Sequence, residues 1–237
     1  MSSHVTASNA PSILVVGASR GLGLAMAAEF ANRGWRVVGT VRAPGTLLQD
    51  LAAGRPGLVE IETLDITDQD QILTARDRLA GRLFDIVFVN GGVANRTPEA
   101  TMAGVSTDEF VHVMVTNVLG VMRAVEAFGD LARSGGVIGV MSSGQGSIAN
   151  NTNGVNDIYR ASKAALNQAM ASYAGRHAGD GQALILMAPG WIRTELGGMN
   201  APFSVEDAMP QIVDVLIAQQ DIPGLRYIDR NGQTVPW

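Results

Sequence analysis

Tyr159 and Lys163 stand four residues apart in the run Asp157-Ile158-Tyr159-Arg160-Ala161-Ser162-Lys163-Ala164-Ala165-Leu166. The run is Ala-rich and free of Gly and Pro, and more helix formers follow it, so it reads as helix. Side chains at i and i+4 share one face of a helix. The spacing therefore sets an ammonium beside a phenol. A Tyr titrates near pH ~10 when unperturbed. A neighbouring positive charge favours the phenolate and lowers that value. A phenol tuned towards neutrality serves as a general acid or base. The same pair also describes an ordinary solvated helix face, so its weight depends on what else the chain carries.

Near the N-terminus, Ser12-Ile13-Leu14-Val15-Val16 is a short apolar, β-branched run of the kind buried in parallel sheets. Gly17-Ala18-Ser19-Arg20-Gly21-Leu22-Gly23 follows, and Leu24 to Ala31 then has helical composition. Strand, glycine turn and helix in that order is the context of a nucleotide-binding loop. Glycines permit a tight turn and a close backbone approach to a phosphate. The helix start offers unpaired N–H groups to a pyrophosphate. A glycine-rich connector with no ligand remains the plain alternative. The spacing is G-x-x-x-G-x-G, and no Lys-Ser/Thr follows the last glycine, which argues against a P-loop nucleotidase.

The 237 residues suit one domain with a substantial core. Seventeen Lys and Arg stand against 22 Asp and Glu, a net charge of −5, with no basic block for nucleic acid or an anionic membrane. The absence of Cys excludes disulfides and thiolate chemistry and fits a cytoplasmic protein. His4, His112 and His177 show no ligand spacing, so no metal is expected. Residues 1–11 read as a flexible tail with no signal peptide, and no stretch suggests a membrane span.

Further strands are expected at Val37–Val41, Leu58–Leu64, Asp85–Val89, Gly136–Met141, Ala183–Met187 and Leu225–Ile228. Helices are expected at Thr46–Ala53, Asp68–Ala80, Thr107–Ala132, Asp157–His177 and Val205–Gln219. Thr67 with Asp70, Ser106 with Glu109 and Ser204 with Asp207 each suggest a capping box. The alternation predicts an α/β fold: one Rossmann domain over 12–237, a doubly wound parallel sheet of about seven strands with helices on both faces. Ligands then bind at the carboxyl ends of the strands.

With these motifs in order, the chain resembles the classical short-chain dehydrogenase/reductase family over about residues 12 to 237. Gly17 to Gly23 matches the family's cofactor loop, in which Gly17, Ser19, Arg20, Gly21, Leu22 and Gly23 would contact the dinucleotide. Leu64-Asp65-Ile66-Thr67 is similar to the adenine-contacting segment, with Asp65 and Ile66 as its contacts. Asn90-Gly91-Gly92 stands where the family usually has Asn-Ala-Gly. Asn117, Ser143, Tyr159 and Lys163 match the catalytic tetrad. Pro189, Gly190, Ile192 and Thr194 match the turn beside the nicotinamide. The segments from Gly144 to Asn167 and Gly224 to Trp237 resemble C-factor and sniffer-type carbonyl reductases.

The resemblance implies hydride transfer between a nicotinamide and a carbonyl or secondary alcohol. Tyr159 would exchange the proton, Lys163 would lower its pKa and bind ribose, and Ser143 would hold the substrate oxygen. Asn117 would hold Lys163 through a water. Ser143 lies sixteen residues before Tyr159, a few more than is common, which leaves Ser147 as an outside candidate. The end of the second strand, Gly39-Thr40-Val41-Arg42, offers no acid to a ribose diol. Arg42 with Arg20 suits a 2′-phosphate instead, so NADP(H) is favoured and NAD(H) is possible. Val93, Ala94, Asn95, Arg96, Gln145, Ser147, Trp191, Met199 and Phe203 are the substrate-side candidates. The leading expectation is an NADPH-dependent carbonyl reductase. An NAD(P)-dependent alcohol dehydrogenase working oxidatively and a dinucleotide-binding sensor are the alternatives. Relatives also suggest a homodimer or homotetramer, with Met114, Val118, Val121, Met170 and Tyr173 either on outward helix faces or in the core.

Overall fold

A computed structural model describes residues 10–237. The expected tail falls mostly outside the described residues, but Pro11 already joins the sheet edge, its carbonyl accepting the Arg36 N–H at 2.8 Å.

Seven parallel strands lie in the order β3-β2-β1-β4-β5-β6-β7. They are β1 (Ser12–Val16), β2 (Arg36–Val41), β3 (Val59–Thr63), β4 (Phe84–Val89), β5 (Ala132–Met141), β6 (Ala183–Ala188) and β7 (Gly224–Asp229). The helices are α1 (Gly21–Asn32), α2 (Leu47–Ala53), α3 (Gln69–Arg78), α4 (Thr107–Met114), α5 (Val121–Phe128), α6 (Asp157–Arg176) and α7 (Val205–Ala218). The strands β1, β4 and β6 are almost wholly apolar because both faces are covered, whereas the edge strand β3 carries Glu60 and Glu62. Leu14 and Val16 point into a core with α3, α5 and α6. Ile13 and Val15 point into a second core with α1, α2 and α7. Strand order reverses between β1 and β4, so their carboxyl ends open a crevice.

Three local expectations are corrected. α3 is capped by Asp68, not Thr67: Asp68 Oδ1 accepts the N–H groups of Asp70 at 3.0 Å and Gln71 at 3.1 Å. Thr67 instead donates to Asp65 Oδ1 in a tight local turn. The expected helix Thr107–Ala132 is interrupted by a π-helical stretch, Val115–Gly120, and Ala132 already begins β5. The tight approach of Gly120 to Ile66 accounts for the glycine, since a Cβ there would lie 2.7 Å from the Ile66 carbonyl oxygen. Contrary to the expectation that no stretch suggests a membrane span, Thr107–Leu131 is long and apolar enough to cross a membrane by length and composition. Its Val113, Val121, Ala124, Val125 and Phe128 are buried in the domain, which is how a core helix passes the same test. Of the two readings of the helix-face residues, Val121, Met170 and Tyr173 take the core one. The apolar side chains that α4 and the π stretch expose are Phe110, Val111 and Leu119.

Candidate active site

The loop after β1 is shaped by glycine. Gly17 has φ +92°, and its carbonyl accepts from Asn90 Nδ2 at 3.0 Å while its N–H donates to Thr40 Oγ1 at 2.9 Å. Gly23 packs so close that a Cβ would sit 2.0 Å from the Gly17 oxygen. These contacts fold the loop down onto β4 and leave the first turn of α1 without a side-chain cap. Ser19 and Leu22 are part-buried in this loop, and Arg20 is exposed and ion-paired with Glu195. Arg42 is exposed at the end of β2 and forms no ion pair among the described residues. No carboxylate ends β2.

Asp65 and Ile66 follow β3. Asp65 Oδ1 is engaged by Thr67, and Ile66 is nearly buried. A Cβ on Gly91 would meet Ile66 Cδ1 at 2.4 Å, a contact with the far end of a side chain that can shift. Gly92 separates two tetrad members, because a Cβ on it would lie 3.3 Å from Lys163 Nζ and 3.6 Å from Asn117 Oδ1. Asn117 belongs to the π stretch, a distortion often found at functional sites. Its Oδ1 accepts the Val93 N–H at 2.8 Å, and its Nδ2 donates to the Val93 carbonyl at 2.8 Å and to Ser162 Oγ at 2.9 Å. Ser162 donates onward to the Tyr159 carbonyl at 2.8 Å. The loop after β4 and the start of α6 are therefore tied through one buried amide.

Lys163 and Tyr159 come from the first turns of α6. Lys163 is 2% exposed and donates from Nζ to the Met141 carbonyl at 2.8 Å, at the end of β5. Burial lowers its ammonium from 10.5 to about 8. Burial also pushes the Tyr159 phenol up to about 12, against a hydrogen bond with Ser143 that lowers it. The expectation that Lys163 would draw this phenol towards neutrality is not met. Nζ lies 5.7 Å from the ring centroid and points at Met141, so desolvation of the phenolate dominates.

Ser143, directly after β5, is the serine that meets Tyr159. Its Oγ also accepts the Gln145 N–H at 3.1 Å. Ser142 is buried and donates to Asn167 Oδ1 at 2.6 Å. Ser147 is 1% exposed and turned to the Trp237 main-chain oxygen at 3.4 Å, which corrects its candidacy for substrate or catalysis. Asn95 is also buried, donating to the Thr97 carbonyl at 2.6 Å, and shapes its loop from within. Gln145 is part-buried and accepts from Asn156 at 3.2 Å.

After β6, Pro189 is buried and Gly190 is exposed with φ +91°. Ile192 pairs with Phe203 across a single parallel bridge. Thr194 Oγ1 accepts the Gly197 N–H at 3.0 Å, and Trp191 Nε1 donates to the Gly197 carbonyl at 2.7 Å. Phe203 does not point to the mouth: Arg230 stacks on its ring at 3.8 Å and the ring packs on the α1–α7 core. Trp191 and Met199 remain open, 56% and 83% exposed. Val93 is part-buried, with Ala94 and Arg96 exposed beside it. Among the described residues no group of three His, Asp or Glu side chains could hold a metal ion.

Sequence reasoning gave no site role to Ser162 and Glu195, and Asn167, Tyr227 and Trp237 entered it only within the segments that resemble carbonyl reductases. Each reaches the site through the fold. Only the helical position of Ser162 and Asn167, on the side of α6 that carries Lys163, offered a hint.

The glycine cradle, the uncapped helix start and the Ser143/Tyr159/Lys163 cluster surround one crevice between β1 and β4–β5. Residues 11–202 match the family model of short chain dehydrogenases, and the chain belongs to that family. A crystal structure of a short-chain dehydrogenase/reductase from Burkholderia multivorans with bound NADP superposes with a TM-score of 0.95 at 55% identity, covering 96% of this chain and all of that one (100%). A carbonyl reductase of Pseudomonas aeruginosa PAO1 in complex with NADP gives a TM-score of 0.88 at 32% identity, over 96% of this chain and 100% of that one. The C-signal protein of Myxococcus xanthus is 30% identical over 155 residues, 65% of this chain and 92% of its own length.

Proposed function

We propose that this oxidoreductase is an NADPH-dependent carbonyl reductase. The observation that carries the reading is the Tyr159 phenol, hydrogen-bonded to Ser143 and held protonated by burial. A proton donor to a developing alkoxide must be protonated at working pH. A phenol pushed up to about 12 meets that demand, as an unshifted phenol would, and the Lys163 charge beside it would ease release of the proton as the alkoxide forms.

The residues present fit a dinucleotide. Gly17, Ser19, Arg20, Gly21, Leu22 and Gly23 would line its pyrophosphate, because no Cβ fills the cradle and the α1 N–H groups are uncapped. Asp65 and Ile66 would flank the adenine. Asn90, Gly91, Gly92, Tyr159 and Lys163 would hold the nicotinamide ribose, and Pro189, Gly190, Ile192 and Thr194 the ring. Arg42 and Arg20 would take the 2′-phosphate, with no acid at the end of β2 to repel it. A bound reduced nicotinamide supplies the hydride. Ser143 donates a hydrogen bond to the substrate oxygen and strengthens it as charge develops there. Tyr159 delivers its proton to that oxygen. Lys163 offers positive charge beside the phenol, and Asn117 fixes the distance between the β4 loop and α6. A homodimer or homotetramer is proposed with Phe110, Val111 and Leu119 as its exposed apolar surface.

The test is calorimetry of NADPH and NADH on the wild type and Arg42→Ala, followed by NADPH consumption over a panel of aldehydes and ketones. Preferential NADPH binding, lost in the variant, with turnover of a carbonyl abolished by Tyr159→Phe, is the expected result. Equal binding of both cofactors, with turnover only of alcohols, would replace this reading with the oxidative one.

A further inference from the structure

Ser143 must present its hydroxyl to the substrate oxygen, yet it sits in a short turn, Gly144–Gly146, that opens a long loop to Asn156. What holds this turn comes from the far end of the chain. Tyr227, on the edge strand β7, is 2% exposed, and its hydroxyl donates to the Ser143 carbonyl. The same carbonyl accepts the Gly146 N–H at 2.9 Å, so both of its lone-pair directions are used. The Ser142 and Asn167 side chains stand beside the Tyr227 hydroxyl, near enough to oppose the rise that burial gives its pKa. Asn167 in turn donates to the Gly146 carbonyl at 3.4 Å.

A second tie runs beside the first. The segment after β7 folds back, with the Val235 N–H donating to the Tyr227 carbonyl at 2.8 Å. Trp237 lies against Tyr227 with ring centroids 5.4 Å apart. Its main-chain oxygen accepts the Ala149 N–H at 3.0 Å and the Ser147 hydroxyl at 3.4 Å. The turn that carries Ser143 is thus gripped at its start by Tyr227 and at its end by Trp237.

We propose that Tyr227 is a positioning residue for the reaction, acting through the Ser143 peptide to aim the Ser143 hydroxyl at the substrate oxygen. The proposal rests on the reductase reading, in which Ser143 touches that oxygen. Burial raises the Tyr227 phenol, so it stays a donor across the working pH range. Its hydroxyl serves no packing purpose that a phenyl ring would not, because the ring already fills the β7–α6 core. The bond to Ser143 is therefore separable from folding.

The experiment is a double-mutant cycle of Tyr227→Phe and Ser143→Ala in the full chain, with NADPH and the best carbonyl of the panel. Tyr227→Phe should lower kcat about tenfold or more, as small misplacements at a reacting group do. The Kd for NADPH should stay within about twofold, since no contact of Tyr227 reaches the glycine cradle. In the Ser143→Ala background the same change should have almost no further effect. A turnover-free readout accompanies it: amide exchange over residues 143–149 should quicken in Tyr227→Phe and not in Tyr173→Phe, a buried phenol elsewhere. Equal, additive losses in both backgrounds, or an unchanged kcat, would overturn the positioning role. If Ser143→Ala itself leaves kcat intact, or no carbonyl is turned over, the reductase reading fails first and takes this proposal with it.

Discussion

Replacing Lys163 by Met should remove activity and change stability in a pH-dependent way. The ammonium is 2% exposed, and burial lowers it from 10.5 to about 8. Between those two pH values the unfolded chain holds a proton that the native chain has shed. Wild-type stability therefore rises with pH across that window. Below pH 8 both states are charged and the native state carries the whole desolvation penalty. At 1.36 kcal/mol per pH unit, the drop from 10.5 to about 8 amounts to about 3 kcal/mol.

Methionine fills similar space without the charge, so the variant escapes that penalty. It also leaves the Met141 carbonyl without its 2.8 Å donor, a loss of about 1–3 kcal/mol for a buried acceptor. At pH 7 the variant should then be as stable as the wild type or up to about 2 kcal/mol more stable. By pH 10.5 the order should reverse, with the variant weaker by the orphaned-carbonyl term alone. Urea unfolding of both proteins at steps from pH 7 to 10.5 reads the difference directly, because every other titrating group is shared and cancels. A difference that stays flat over this range would refute the claim that Lys163 is buried as an ammonium. A residue retained at a stability cost of this kind is best explained by what it does for the reaction.

The same pair of shifts sets the pH profile: reduction should decline above about pH 8 as Lys163 loses its charge, while Tyr159 remains a donor up to about 12. Steady-state rates at saturating NADPH check this, and a profile flat to pH 10 would count against a role for the Lys163 charge. Ser143→Ala should cost about 10²–10³ in kcat with little change in NADPH binding, as removal of an oxyanion donor does. Ser147→Ala should leave kcat near wild type, since that hydroxyl faces Trp237. Gly23→Ala should abolish NADPH binding in calorimetry, because its Cβ would lie 2.0 Å from the Gly17 oxygen and backbone cannot yield as a flexible side chain does. Gly91→Ala should be nearly neutral in both binding and thermal stability, because the atom it meets is the free end of Ile66.

What was legible in the sequence was local. The Gly17–Gly23 loop announces itself because strand, turn and helix each impose their own residue types on adjacent positions. Tyr159 and Lys163 were legible because helical periodicity turns a spacing into a shared face. The direction of their pKa shifts was not, because it depends on how deeply β5 and the loops bury them, and desolvation outweighed the pair attraction. Ser147, Asn95 and Phe203 read as mouth residues in the sequence because loops have no periodicity to tell inside from outside. The cap of α3 slipped by one residue because Thr67 and Asp68 are both good caps, and Asp65 claimed the threonine. Tyr227 was invisible as a site residue because its contact spans 84 positions of sequence.

The proposed reductive direction rests on burial more than on residue identity. The tetrad is composed of the same four residue types whichever way hydride moves. Here desolvation keeps the phenol protonated and lowers the ammonium only to about 8, so Lys163 still carries its charge at neutral pH. A site built to oxidise an alcohol needs the opposite bias, a phenolate stabilised by an adjacent cation before the substrate arrives. Lys163 donates to the Met141 carbonyl and not to the Tyr159 hydroxyl, so its charge acts on the phenol through space. Arg42 and Arg20, with no competing acid at the end of β2, add a preference for the cofactor that carries an extra phosphate. The two features, one at each end of the crevice, both support the proposed reductive reading. A measured NADPH preference without carbonyl turnover would separate them and place the error at the tyrosine.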